Sequence, residues 1–191
     1  MNKRLFKILE IAGILVIYLI AVLLHFVYDL TNGSVLAILF GSVNESVWEH
    51  IKIFCVGFVF WAIIELLIIK PPFKKYVVAK TISLYFLSLC IPAFFYAYNL
   101  FTSGPVLILD ILSSLAFLAL AQYISYKLTV NENSIADYFC VALMLLMLYF
   151  VMFFSFTVFP PKVDLFKDPL TGMYGIIDDD IDIGAVFLDK S

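Results

Sequence analysis

The sequence predicts an all-α integral membrane bundle of about five transmembrane helices, with its N-terminus inside and its C-terminus outside. Three observations predict it. Of 191 residues, 64% are hydrophobic, against roughly 45–50% in soluble domains. The mean hydropathy is +1.06, and a water-soluble fold of this size has no interior large enough to hide so much apolar surface. Five stretches reach the roughly 20 apolar residues needed to cross the hydrocarbon core of a bilayer. Helices are required there, because lipid offers no partner to backbone N–H and C=O groups.

Lys3, Arg4 and Lys7 precede the first apolar run, residues 8–28. A secretory signal begins the same way, but no small-residue cleavage site follows, so the run is expected to remain as span one. Residues 31–46 carry an apolar patch at 35–40. It is too short to span and lies at the interface or dips back in. Span two covers residues 47–69 and is closed by Pro71-Pro72. Span three covers 76–98, with Pro92 expected to kink it. Span four covers 106–128 and span five 136–159, where Pro160-Pro161 stops the helix. These elements form a transmembrane domain, residues 1–160, followed by an extracytoplasmic acidic tail, residues 161–191. In that tail Asp168-Pro169 and Thr171-Gly172 read as turns. Asp178, Asp180, Asp182 and Asp189 match ligand positions of a calcium loop, but Ile183 stands where that loop needs glycine, which favours a solvated acidic end.

Basic residues set orientation. Lys3, Arg4, Lys7, Lys70, Lys74, Lys75, Lys80 and Lys127 all fall on one side of a five-span chain, the expected cytoplasm. Only Lys52, Lys162, Lys167 and Lys190 lie opposite. The expected setting is the plasma membrane of a bacterium, with the lipid bilayer as immediate partner. An odd number of spans suits a homo-oligomer or a membrane partner protein. The net charge of −3 and the lack of a basic stripe exclude nucleic acid. Cys55, Cys90 and Cys140 share no metal-like spacing. No internal repeat marks the two halves of a carrier.

Ionisable groups inside spans are costly and tend to mark function. Here they gather in the outer layer. His25 and Asp29 end span one on one helical face. Span two opens with Asn44-Glu45-Ser46-Val47-Trp48-Glu49-His50-Ile51-Lys52, where Glu45 and Glu49 are expected to share a face. Asp110 lies one turn into span four, and Asp168 starts the tail's turn on the same side. Imidazole and carboxylate suit a divalent metal ion such as zinc, manganese or iron. In that reading His25, Glu45, Glu49 and His50 are metal ligands, Glu49 or His50 doubles as catalytic base, and Asp29 orients a ligand. Lys52 then contacts an anion, and Asn44, Trp48, Asp110 and Asp168 complete the polar layer. A plainer account competes with it. Ser42-x-x-Glu45 and Ser46-x-x-Glu49 fit capping boxes, Trp48 is an ordinary interfacial anchor, and Lys52 pairs with Glu49 or snorkels. Glu65 stands apart, deep in span two. It is expected to face Tyr85 or Ser83, or to be neutral, with no second buried acid beside it.

The Asn44–His50 segment, preceded by His25-x-x-x-Asp29, resembles an uncharacterised family of bacterial multi-pass membrane proteins, as does Asp168-Pro169-x-Thr171-Gly172-x-Tyr174-Gly175. The likeness runs to about Ile176. It implies a membrane protein and no assigned activity. The functions that remain are a carrier or an accessory or structural membrane protein, with a membrane-embedded metal-dependent hydrolase at the outer leaflet as the alternative.

Overall fold

The computed structural model describes residues 1–102, 104–132 and 134–177. The acidic end, including the calcium-loop reading of Asp178 to Asp189, lies outside the described residues. Five helices are long and apolar enough to cross a membrane. They are α1 (Lys3–Leu30), α3 (Val47–Ile69), α4 (Phe73–Asn99), α5 (Leu107–Val130) and α6 (Phe139–Val158), the last led in by a 3-10 turn at Ile135–Tyr138. A sixth, α2 (Val35–Phe40), is too short to span. Among the described residues there is no strand, only a single antiparallel bridge between Lys167 and Tyr174.

The helix ends follow from local chemistry. Asn2 Oδ1 accepts from the N–H groups of Arg4 and Leu5, both at 3.1 Å, which satisfies donors that the first turn leaves open. The cap extends α1 back through the basic cluster, several residues before the expected start. Ser46 caps α3 by accepting from Glu49 N–H at 3.4 Å. Lys70 closes α3 in the left-handed conformation, with φ of 48°, and the two prolines that follow prevent continuation. Pro92 sits within a continuous α4.

α1 lies on α3 and α5, while α4 lies on α3, α5 and α6. Small residues let α1 approach α3, as expected for helices in lipid. A Cβ at Gly57 would come within 3.2 Å of the Ile17 carbonyl, and one at Gly13 would collide with Trp61 Nε1 and the Gln122 amide. Gly13→Val should therefore cost about 1–3 kcal/mol through overpacking. Thermal unfolding in detergent checks this.

Outward faces of the bundle are apolar. Leu15, Leu23, Met144, Met147 and Val151 are all exposed, a surface that water does not favour and lipid tails do. The inward middle is packed solid with Phe58, Leu84, Leu87 and Leu118, each at most 1% exposed. α2 folds back against the bundle, with the Phe40 ring 6.0 Å from Phe60 and 5.9 Å from Phe154.

Glu65 corrects another expectation. Its carboxylate meets Trp61 Nε1 at 2.9 Å, Tyr76 Oη at 3.0 Å and Lys80 Nζ at 2.6 Å, not Tyr85 or Ser83. Glu10 is the second buried acid, 3.1 Å from the same Lys80 ammonium. Lys80, taken from the sequence as a flanking charge, is 6% exposed. Two turns into α4, it is buried in the bundle and takes acidic partners from α1 and α3.

Candidate functional site

At the opposite end of the bundle the last turns of α1 meet the first turn of α3. His25 Nε2 lies 3.5 Å from Glu45 Oε1, and His50 Nε2 lies 3.6 Å from Glu45 Oε2. The two imidazole rings are 5.1 Å apart between centroids. One ligand atom from each of His25, Glu45 and His50 falls within 4.8 Å of the other two. All three residues are half-buried.

The capping geometry of α3 fixes one of the rings. His50 Nδ1 is 2.9 Å from the Ser46 carbonyl. A carbonyl only accepts, so Nδ1 carries the hydrogen and donates. In the neutral ring Nε2 is then a bare lone pair aimed at Glu45, the arrangement a backbone carbonyl commonly gives to a metal-ligating imidazole. His25 is held differently. Phe26 packs edge-on to its ring, with centroids 4.9 Å apart, and its Nδ1 is buried without a hydrogen-bond partner. The His50 Nε2 lone pair facing a carboxylate repels it. Protonation of the ring or a cation between the two groups removes that repulsion.

Glu45 owes its position to the chain after α6. Asn44 Nδ2 donates to the Gly175 carbonyl at 2.7 Å, and Asn44 Oδ1 accepts from Ser46 N–H at 2.8 Å. Asp168 Oδ2 accepts from Glu45 N–H at 3.5 Å, while Oδ1 accepts from Leu170 and Thr171 N–H at 2.6 and 3.2 Å. Asp168 thus organises its own turn, aided by Gly172 at φ of 74°, and presents that turn to Glu45. Trp48 stacks on Phe153 with centroids 4.5 Å apart and touches Phe166 at 4.8 Å. It is a packing residue joining α3, α6 and this loop. The two motif segments read separately from the sequence form one structural unit. Asn44→Ala unpins it and should weaken any ion held by Glu45 by about tenfold, the scale of an outer-shell loss. A zinc titration checks this.

Glu49 and Lys52 depart from expectation. Glu49, expected beside the histidines as ligand or base, is not part of the three-residue group. Its Oε2 accepts from Val43 N–H at 3.1 Å and pairs with Lys52 Nζ at 2.6 Å, and its Oε1 accepts from Thr157 at 3.1 Å. Lys52, expected to contact an anion, is 0% exposed. Its ammonium also donates to Thr157 Oγ1 at 2.9 Å and to the Ile38 carbonyl at 3.1 Å, so all three of its N–H bonds are used. The cause lies in the helix start. α3 begins at Val47, so Glu45 precedes the helix and does not share a face with Glu49. Only one of the two expected capping arrangements forms. Ser46 caps α3, whereas Ser42 donates to the Asn44 carbonyl at 2.7 Å.

The remaining polar residues are dispersed. Asp29 is exposed, one turn beyond His25. Asp110, in the first turn of α5, accepts from Tyr98 Oη in the last turn of α4 at 2.6 Å. Thr157 and the Ser46 and Ile38 carbonyls were not foreseen. No sequence signal marks a carbonyl as a partner, although a threonine two residues before a helix-ending Phe159-Pro160 is a polar outlier in that run.

A family model described as a family of unknown function (DUF6512) matches residues 2–176. No curated protein and no solved structure matches the chain.

Proposed function

Since this chain belongs to a family of unknown function, DUF6512, we propose its function from the geometry of the site: a multi-pass membrane protein that binds one divalent transition-metal ion, zinc by preference, through His25 Nε2, Glu45 and His50 Nε2. The observation that carries this reading is the convergence of three metal-ligating side chains, with one potential ligand atom of each within 4.8 Å of the others. A tetrahedral ion with ligand distances of about 2.0–2.1 Å spaces its donors by about 3.3 Å. The two N···O separations, to the two different oxygens of Glu45, are 3.5 and 3.6 Å, and all three ligand atoms lie within 4.8 Å of one another, so the side chains must draw together round an ion. The donor types favour zinc over magnesium or calcium, which prefer all-oxygen sites.

The apolar plug of Phe58, Leu84, Leu87 and Leu118 weighs against a carrier, which needs a polar route to the other face. A fixed site suits an accessory protein that holds the ion. Two imidazoles and one carboxylate also leave a fourth position open, as in catalytic zinc sites, where an ion polarises water. That open position supports the second reading, a metal-dependent hydrolase at the outer leaflet.

The reading is tested by titrating metal-free protein with zinc against a chromophoric competitor. One site per chain is expected, lost in His50→Ala. A titration with no uptake by folded protein would refute it. Orientation is part of the proposal, with the N-terminus in the cytoplasm and the site facing out. A reporter joined after residue 177 should be active outside, and cytoplasmic activity there would invert the topology.

A further inference from the structure

At the end of the bundle that carries the N-terminus, Glu10, Glu65 and Lys80 form a buried group contributed by α1, α3 and α4. Its charges do not balance. The Lys80 ammonium has three N–H bonds and three acceptors: Glu65 Oε2 at 2.6 Å, Glu10 Oε2 at 3.1 Å and Gln122 Oε1 at 3.2 Å. That arrangement requires Lys80 to be charged. Glu65 Oε1 accepts from the Trp61 indole at 2.9 Å, a group that can only donate. Glu65 Oε2 takes the shorter contact with Lys80 and accepts from Tyr76. Glu65 is therefore the ionised partner of Lys80, and Glu10 is a surplus carboxyl.

Glu10 differs from Glu65 in what surrounds it. Its Oε1 lies 2.7 Å from Ser125 Oγ, and a hydroxyl can donate to a carboxylate or accept from a carboxylic acid. Each oxygen of Glu65 thus faces an obligate donor, Trp61 or Lys80, and the Tyr76 hydroxyl beside it is shared with the Ala62 carbonyl at 2.7 Å, whereas Glu10 Oε1 faces the Ser125 hydroxyl, which suits either protonation state. Glu10 also lines a cavity of about 430 Å³ between α1 and α5, whereas Glu65 is fully sealed. Lys7 from α1 and Lys127, Tyr123 and Tyr126 from α5 face the same cavity. Lys7 and Lys127 each lie about one turn from a helix end, at Lys3 and Val130, with Lys127 Nζ over the Tyr123 ring at 5.5 Å, and the cavity they line with Glu10 is partly open to the exterior. An uncompensated charge in a low-dielectric layer is costly, and a single proton neutralises it. A sodium ion would need several free oxygens, and those of this group already have donors.

We propose that Glu10 is a proton-binding site, loaded and unloaded through the α1–α5 cavity while Lys80 and Glu65 remain an ion pair. Binding of a proton there is independent of the metal site at the other end, and neither reading requires the other.

The test is infrared difference spectroscopy of the full chain in lipid nanodiscs, between acid and alkaline buffer, with hydrophobic carbodiimide labelling beside it. A carboxylic-acid C=O band that rises on acidification and is lost in Glu10→Gln is expected. The carbodiimide, which reacts with protonated carboxyls in apolar surroundings, should label Glu10 and not Glu65, with labelling falling as pH rises. The labelling is read on the unmodified chain by mass spectrometry, so it decides the matter even if Glu10→Gln does not fold. Label on Glu65 instead, or no label at Glu10 under acid conditions, would overturn the proposal.

Discussion

Replacing Lys52 by Met is expected to lower the stability of the detergent-solubilised protein by about 3–5 kcal/mol, the cost of leaving a buried carboxylate without its partner. Lys52 and Glu49 are both at most 1% exposed, and they are paired at 2.6 Å. Loss of the ammonium strands Glu49 between Val43 N–H and Thr157, neither of which carries charge. It also removes the donor that holds the α2 carbonyl of Ile38. Glu49→Gln leaves the reverse problem and should cost a similar amount. The double variant Glu49→Gln, Lys52→Met should recover much of the loss, because no unpaired charge then remains. Thermal unfolding of the two single variants and the double variant measures the coupling. Strict additivity would mean that the pair is solvated and does not tie α3 to α6.

The second large effect concerns the metal. His25→Ala, His50→Ala and Glu45→Gln should each weaken zinc binding by more than about 100-fold, since losing a direct ligand exceeds the 10–100-fold typical of outer-shell changes. Zinc affinity should also fall on acidification, because protons compete for the imidazoles. Glu49→Gln, if it folds, should leave affinity within a few-fold of the parent, as Glu49 is turned away from the group. Equal losses at Glu45 and Glu49 would restore the sequence-based ligand set and contradict the geometry.

Much of the fold was legible in the sequence because a bilayer imposes so few solutions. Apolar runs of spanning length can only become helices, and all five appear near the expected positions. The polar layer at the end of α1 and the start of α3 was legible for the same reason, since a His-x-x-x-Asp at one helix end and Glu-x-x-x-Glu-His at the next helix start must come out near one another. Which side chains meet was not legible. Glu45 and Glu49 look like one face only if the helix runs through both, and the Ser46 cap places its start between them. The Glu10, Glu65 and Lys80 group was missed for a different reason. Lys80 counted as a topological charge, and Glu10 lay within the first apolar run without attracting notice. Depth was the available signal. Glu10, Glu65 and Lys80 each sit one to two turns from helix ends on the same side, at Lys3, Ile69 and Phe73 respectively, so three ionisable groups share one buried level. The role of the loop after α6 could not be read either, because the hydrogen bonds from Asn44 and Asp168 join positions more than 100 residues apart.

The central claim is that His25, Glu45 and His50 hold one metal ion together, and X-ray absorption at the zinc edge of the stoichiometrically loaded protein tests it most directly. The account predicts a four-coordinate ion with two imidazoles among light-atom ligands, falling to one imidazole or to loss of zinc in His25→Ala. A zinc shell without imidazole scattering, or one unchanged when both histidines are replaced, would contradict it.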